Sequence, residues 1–333
     1  MSKKIFSVIK KEIKLYYKFY LFLFLFSLLF IVKLDYYVFS PGGLIDLTNR
    51  IEVENSYSQE GSFNLTYVTS RPGNLFNLAL SYLIPSWDIV DVNDSRIDDE
   101  DVNEIEFRNK IYLKETSYNA IIAAFIEADI DYNVDSIDVT VTYIYKDSNT
   151  NLKVGDIIKK INDVSINDFI TLKEEVNKYS PGDSINIEVE RKNKTIDCYS
   201  VLYSEEDSTY IGVSLAEIKT ISTTPKVEYI FKDNESGSSR GFMCALDFFY
   251  KISEYDLTKG RIISGTGSID ENGVIGSIDG VKYKLSGAIK KKADIFIVPE
   301  ENYEEALKVK EDNNYDIEVI SASSLHDVIE KLK

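Results

Sequence analysis

Glu235-Ser-Gly-Ser-Ser-Arg-Gly-Phe-Met-Cys-Ala-Leu246 decides how this chain is read, together with a lysine 45 residues after the second of its paired serines. A Gly/Ser-rich turn runs directly into the apolar stretch Phe242–Ile252. Periodicity cannot type so apolar a run, but its length favours a buried helix over a strand. A turn of small residues before a helix leaves backbone N–H groups free at the helix's positive end. Such a site suits an anion, including the oxyanion of a tetrahedral intermediate. Ser238 and Ser239 stand where a nucleophile would use it; as plain helix caps they would need no chemistry.

The second half of the constellation follows the turn at Glu271-Asn-Gly273, in Gly276-Ser-Ile-Asp-Gly-Val-Lys-Tyr-Lys-Leu-Ser-Gly-Ala-Ile289. Read as a helix from Val281, its inward stripe is Val281, Lys284, Leu285, Ala288 and Ile289, the i, i+3, i+4, i+7, i+8 pattern of a core-facing helix. Lys282, Lys290, Lys291 and Lys292 fit ordinary solvated charges, whereas Lys284 interrupts the apolar stripe. Unless it snorkels out, desolvation lowers its pKa and supplies a neutral amine as general base. A serine nucleophile needs such a base. The one histidine, His326, lies in Ser324–Leu332, which reads as a terminal amphipathic helix with a Ser324/Asp327 capping pair. A Ser-His-Asp triad would have to use it, which leaves a Ser/Lys dyad as the remaining nucleophilic option.

Gly237-Ser-Ser-Arg-Gly241 resembles the Gly-Pro-Ser-Ala-Gly nucleophile motif of Lon-type proteases. Gly265-Thr-Gly-Ser-Ile269 and Asp279-Gly-Val-Lys-Tyr-Lys284 resemble that family's Thr-Gly-x-Ile strand and Gly-Gly-x-Lys-x-Lys helix. The resemblance implies Ser239 as nucleophile, Lys284 as base and Thr266 as the threonine near the lysine. It also implies an oxyanion hole of backbone N–H groups around Gly237, Ser238 and Ser239. Three positions depart from the pattern: Ser238 replaces proline, Arg240 replaces alanine and Asp279 replaces the first glycine.

Outward from this centre the chain is uneven in charge. Its net charge is −17, yet residues 1–33 hold seven lysines against one glutamate, leaving −23 for residues 34–333. So acidic a body argues against nucleic acid. The basic residues Lys3, Lys4, Lys10, Lys11, Lys14 and Lys18 precede the uncharged run Phe19–Val32. Counted from Leu15 through Phe39 the run spans a bilayer, with Lys18 snorkelling and Lys33 and Asp35 at the far interface. Tyr16, Tyr17, Tyr20, Tyr36 and Tyr37 fit interfacial belts. No small-x-small cleavage site follows, which favours an uncleaved anchor over a signal peptide. Lysines before the span predict a cytoplasmic N-terminus and an extracytoplasmic body.

Residues 44–131 alternate strand and helix signals: strands at Arg50–Glu54 and Ser62–Thr69 about a turn at Gln59–Gly61, and a helix at Leu75–Ile84. An acidic loop is expected over Asp88–Glu104 and a helix over Ile105–Ala128. Pro-Gly-Gly43, Gly-Ser-Phe-Asn-Leu-Thr66 and Glu115-Thr-Ser-Tyr-Asn-Ala-Ile-Ile-Ala-Ala124 resemble the front half of bacterial membrane-anchored PDZ–Lon peptidases. Residues 134–203, with Leu152-Lys-Val-Gly-Asp-Ile-Ile-Lys-Lys-Ile-Asn162, resemble a PDZ domain. Such domains take an extended peptide as an added strand. The strand Val139–Tyr145 and a preceding loop make Val134, Ser136, Ile137 and Val139 the candidate peptide-binding residues. That loop has two aspartates and no glycine, which does not suit a terminal carboxylate. After the PDZ segment, Tyr210–Ala216, Lys226–Phe231, Arg261–Thr266 and Ala293–Val298 read as strands.

The fold expected is α+β: one transmembrane helix, then a discontinuous Lon-type peptidase domain with an inserted PDZ domain. Its parts are a basic tail (1–14), a transmembrane signal anchor (15–39), a front half (40–131), the PDZ domain (132–205) and a back half (206–333). The discontinuity follows from space: only about 30 residues separate 206 from Ser239, too few for a layered domain's front elements. The function expected is a membrane-anchored serine endopeptidase acting outside the cytoplasm on proteins or peptides. No Gly-x-x-x-x-Gly-Lys-Ser/Thr occurs, so no nucleotide is implied. One histidine and no Cys-x-x-Cys argue against a metal, the cluster Asp91, Asp94, Asp98, Asp99 and Asp101 lacks EF-hand spacing, and no cofactor is expected. Cys198 and Cys244, in separate buried elements, read as small hydrophobes. Homo-oligomerisation is left open. The rival reading is a PDZ adaptor or tether whose Lon-like half has lost activity.

Overall fold

The computed structural model describes residues 2–57, 60–97, 100, 102–205, 208–230, 232 and 235–333. Gln59 of the expected turn, Asp98, Asp99 and Asp101 of the acidic cluster, and Phe231 lie outside the described residues. The front of the chain holds α1 (Ser2–Ile31), β1 (Lys33–Asp46), β2 (Ile51–Val53), β3 (Ser62–Asn74), α2 (Leu75–Ser81), β4 (Asp88–Asp91) and α3 (Val102–Glu127). Next come β5 (Tyr132–Ile144), β6 (Ile157–Ile161), β7 (Val164–Ser165), α4 (Phe169–Val176), β8 (Ser184–Arg191) and β9 (Lys194–Val201). They are followed by β10 (Tyr203–Glu205), β11 (Ser208–Tyr210), β12 (Val213–Thr223) and β13 (Val227–Tyr229). The back of the chain holds α5 (Gly241–Ile252), β14 (Ile262–Gly265), β15 (Ser268–Ile269), β16 (Ile275–Gly276) and α6 (Val281–Lys290). It closes with β17 (Ile295–Pro299), α7 (Tyr303–Asp312), β18 (Glu318–Ala322) and α8 (Leu325–Leu332). These elements form two compact units, residues 1–41 with 68–95, and residues 42–67 with 96–333.

In the first unit, α1 kinks at Tyr16. Its stretch Glu12–Ile31 is long and apolar enough to cross a membrane. The helix ends at Ile31 and β1 begins at Lys33, so the expected span through Phe39 is too long. Tyr36–Phe39 instead pairs antiparallel with Asp88–Asp91. The cause is local: Tyr-Tyr-Val-Phe is β-branched and aromatic, suited to a pleated surface. The same pairing makes a strand of Asp-Ile-Val-Asp, the start of the stretch expected to be an acidic loop.

In the second unit, β14 lies between β3 and β17, and all three strands are parallel. Ile263 stands opposite Phe63 on one side and Ile295 on the other. Strand β18 continues the parallel set beyond β17. The side-chain period of two then sorts β17 onto two faces. Ile295 and Ile297 join a core with Ala120, Ala124 and Phe125 of α3, Phe242 and Phe248 of α5, and Val328 of α8. Phe296 and Val298 join a second core with Val281, Leu285 and Ala288 of α6 and Ala306 of α7. The peptidase half is therefore a parallel sheet between helix layers, and the front of the chain supplies one of its inner strands and one of its helices.

The PDZ segment builds its own sheet in the order β12-β5-β6-β8-β9, with β7 attached to β6. Its separate core includes Val141, Ile158, Ile161, Ile185, Ile187 and Leu172. One expectation is corrected here. Val134, Ser136 and Ile137 form no loop; they pair with Ile221, Thr220 and Lys219 of β12, and Val139 pairs with Glu217 and Ile158. The aspartates that suggested a loop have partners across the strands, Asp135 accepting from Ser222 Oγ and Asp138 from Lys159 Nζ.

Because Phe63 and Leu65 of β3 are buried in the same core as Phe242 and Ile263, residues 206–333 alone should lack a cooperative thermal transition by circular dichroism. In the full chain, Phe63→Ala should destabilise by about 3–5 kcal/mol. A cooperative transition for residues 206–333 alone would contradict this account.

Candidate active site

Helix α5 starts at Gly241, with Arg240 at its N-cap and no side-chain cap. The turn before it is built by two glycines for different reasons. Gly237 has φ +87, the left-handed region. Gly241 sits so close to α3 that an added Cβ would lie 2.0 Å from Thr116 Oγ1 and 2.8 Å from Ile269 Cγ2. Helix α3 fastens the turn: Asn109 O accepts from Gly237 N at 3.0 Å, and Thr116 Oγ1 donates to Ser238 O at 3.2 Å. Gly237 N–H is thus already committed, which narrows the expected oxyanion hole. Among the described residues no hydrogen bond uses the N–H of Ser238 or Ser239.

From the sheet side, Gly267 N donates to Ser239 O at 2.9 Å, and Phe242 N donates to Gly267 O at 3.1 Å. Thr266, at the end of β14, is fully buried, and its Oγ1 donates to Ser239 O at 3.1 Å. Lys284 Nζ donates to Thr266 Oγ1 at 3.0 Å. Ser239, Thr266 and Lys284 are brought together from three elements, joined through the threonine. No hydrogen bond links Ser239 Oγ directly to Lys284 Nζ among the described residues.

Lys284 does not snorkel; it is 4% exposed, in line with the buried Val281, Leu285 and Ala288. Burial pushes its pKa down to about 8, opposed in part by the Asp279 carboxylate. Lys282 lies one face away, its Nζ 5.1 Å from the Tyr283 ring centroid. His326 is exposed on α8 and meets Glu127 at 2.8 Å. Cys198 and Cys244 are both buried and unpaired, and burial pushes the Cys244 thiol up to about 12.

Two groups escaped the sequence reading. Glu235 is buried between two guanidinium groups, Arg50 Nη2 at 2.7 Å and Arg240 Nη1 at 2.9 Å. Arg240 also donates to the Tyr229 hydroxyl at 3.1 Å. The arginine that follows Ser239 is therefore held by a carboxylate, and Arg50, 185 residues earlier than Glu235, gave no local signal. The second group is Glu115 on α3, whose carboxyl burial pushes up to about 7, with Glu217 and Lys219 of β12 nearby and the lysine charge opposing the rise. Lys219 in turn pairs with Glu271, next to β15. One signal was available for Glu115: it opens the Glu-Thr-Ser stretch on which the front-half resemblance rests.

Comparisons with known proteins find two family matches along the chain. A PDZ-domain family model matches residues 113–199, and the model of the Lon protease (S16) C-terminal proteolytic domain matches residues 236–333. Among solved structures, the PDZ domain of the SdrC-like protein from Listeria monocytogenes is 19% identical, covers 25% of this chain and 90% of its own, and has a TM-score of 0.22. The second domain of another Listeria protein is 21% identical, covers 24% of this chain and 83% of its own, and has a TM-score of 0.21. No curated protein matches. The Lon proteolytic match begins three residues before Ser239 and the PDZ match lies ahead of it, and together the two support a PDZ plus Lon-type peptidase family protein.

Proposed function

We propose that the chain is a membrane-anchored, extracytoplasmic serine endopeptidase that uses Ser239 and Lys284 as a dyad and needs no nucleotide. The observation that carries this reading is the buried Lys284 amine bonded to Thr266, which itself holds the Ser239 carbonyl. With its pKa brought near 8, a useful fraction of Lys284 is neutral at physiological pH, as a general base requires. Ser239 Oγ attacks the scissile carbonyl carbon while Lys284 takes the hydroxyl proton. The resulting oxyanion is met by the free N–H groups of Ser238 and Ser239 at the positive end of α5. Collapse breaks the C–N bond, and the Lys284 ammonium returns the proton to the leaving amine. Water, deprotonated by Lys284, then cleaves the acyl-enzyme ester.

The departures that motivated the adaptor reading leave this centre intact. Arg240 is engaged by Glu235 and Tyr229, and Asp279 only moderates the effect of burial on Lys284. For substrate docking, the residues first considered, Val134, Ser136, Ile137 and Val139, are committed along their length to β12. The sheet ends on β12, so we place peptide addition at that edge, near α4, where Phe169 N donates to the Glu217 carboxylate. The anchor is α1, with the lysines of its first half on the cytoplasmic side.

Ser239→Ala and Lys284→Ala should each lower peptide cleavage at least about 1000-fold without unfolding the chain, because dyad members act as a unit. Lys282→Ala should keep most activity; activity lost at 282 and kept at 284 would overturn the assignment. The base must be deprotonated to work, so kcat/KM should rise with pH through about 8, below the ordinary lysine value of about 10.4. Protease added outside intact cells should degrade the body and spare the first residues.

The buried Arg50–Glu235–Arg240 cluster gives a further test. Glu235→Ala strands two guanidinium groups, and breaking a buried pair in this way costs about 3–5 kcal/mol. Its kcat should drop roughly tenfold with KM within about threefold, as for an interaction that positions the nucleophile. Glu235→Ala combined with Arg240→Ala should recover much of that loss. A double variant no better than Glu235→Ala alone, by steady-state kinetics, would remove the positioning role.

A further inference from the structure

Beyond the apolar helix the chain carries a second uncharged stretch, Asn74-Leu-Phe-Asn-Leu-Ala-Leu-Ser-Tyr-Leu-Ile-Pro-Ser-Trp87, with Arg71 before it and Asp88 after it. Its helical part, α2, buries no residue. Leu75 is exposed, and Tyr82 and Leu83 just past the helix are 80% and 77% exposed. Single exposed apolar residues are ordinary, but a run of them without any charge marks a surface that something covers.

The polar groups of this stretch are turned inward on themselves. Asn74 Oδ1 accepts from Asn77 N at 2.7 Å, and Ser81 Oγ donates to Leu78 O at 2.7 Å. The backbone N–H groups of Leu83 and Ile84 both donate to Leu80 O, and Trp87 N donates to Ile84 O. Donors already bonded within the segment lose little on leaving water.

Its place identifies the occupant. Phe30, in the last turn of α1, packs on Phe76 of α2 with ring centroids 4.7 Å apart. Phe30 belongs to Glu12–Ile31, the stretch long and apolar enough to cross a membrane, so α2 touches the end of that stretch. The Arg71 guanidinium lies 5.3 Å from the Trp87 ring centroid. A cation beside a tryptophan, with leucine and tyrosine alongside, is the composition of a membrane–water interface.

We propose that Asn74–Trp87 lies in the bilayer interface beside the outer end of α1, as a second membrane contact of the same chain whose partner is lipid. This rests on reading α1 as a membrane anchor. The segment lies on the surface rather than spanning, since its helix has seven residues where a span needs about 20. The chain is then held at two points, and the polypeptide leaves the interface at β1 and re-enters it at the end of β3.

Trp87 is the only tryptophan in the chain, so the full-length protein reports on this segment without engineering. The experiment reconstitutes it in phosphatidylcholine–phosphatidylglycerol vesicles whose acyl chains are brominated either near the headgroup or near the bilayer centre. Flotation and resistance to alkaline extraction are measured on the same samples. Trp87 emission is expected to be quenched at least about twofold by the shallow bromines and less by the deep ones, as for an interfacial side chain. Tyr82→Asp combined with Leu83→Asp should relieve the quenching while the protein still floats with the vesicles. A floating, extraction-resistant protein whose Trp87 is not quenched overturns the inference and leaves the α1 anchor standing. Blue-shifted but unquenched emission, with Tyr82→Cys cross-linking between copies, assigns the surface to a second copy of the chain and likewise overturns it. A protein that fails to float removes the anchor reading and this inference with it.

Discussion

The parallel pairing of β3 with β14 is the constraint on which the rest of the molecule depends. Phe63 and Ile263 stand opposite each other although 200 residues separate them, and the whole PDZ segment lies in that interval. A parallel pair cannot be closed by a tight turn, so the intervening chain must leave the sheet and return. Once β14 is held between β3 and β17, the residue after its last pair is Thr266, at the edge where α5 and α6 converge. The positions of Ser239 and Lys284 follow, since both hydrogen-bond chains pass through that threonine. Closing so long a loop is entropically unfavourable, but the penalty grows only logarithmically with length. The buried Phe63, Leu65, Ile263 and Ile297 contribute about 1.5–3 kcal/mol each against it.

Burial of an amine is the chemical counterpart of that packing. An ammonium group in a low-dielectric site is disfavoured, so the same apolar stripe that attaches α6 to the sheet also brings Lys284 toward neutrality. The Arg50–Glu235–Arg240 cluster shows the opposite solution, in which charges stay buried because they are paired and hydrogen-bonded. Glu235 and Arg240 flank Ser239 in sequence, whereas Lys284, 45 residues on, is joined to it through Thr266. One solution holds an amine whose pKa is brought down to about 8, and the other fixes the charged Arg240 beside Ser239.

What the sequence revealed depended on whether the signal was local. Lys284 was legible because helical periodicity names its neighbours in the core, and all of Val281, Leu285 and Ala288 are buried. The sharing of one sheet between front and back halves was legible from a shortage of elements before Ser239. The start of β5 was not, because Asp135 and Asp138 look like loop residues until Ser222 and Lys159 are set across from them. The end of α1 was overrun because Tyr36, Tyr37 and Phe39 suit a bilayer interface and a strand equally, and β4, distant in sequence, decides for the strand. Arg240 looked like a disturbance because the Glu235 carboxylate that pairs with it is held in place by Arg50, which comes beside it only in the fold.

Helix α3 carries these strands of argument into a single element. Along one helix, Asn109 O and Thr116 Oγ1 hold the turn bearing Ser239, Asn119 Nδ2 donates to Ile269 O, and the Glu115 carboxyl lies near Glu217 and Lys219 of β12. The edge strand of the PDZ sheet and the turn bearing Ser239 are thus fastened to the same few residues. Thr116 lies next to Glu115 in sequence, and Gly241 leaves no space for α3 to move closer. The turn bearing Ser239 and the edge strand β12 therefore both meet helix α3, at neighbouring residues.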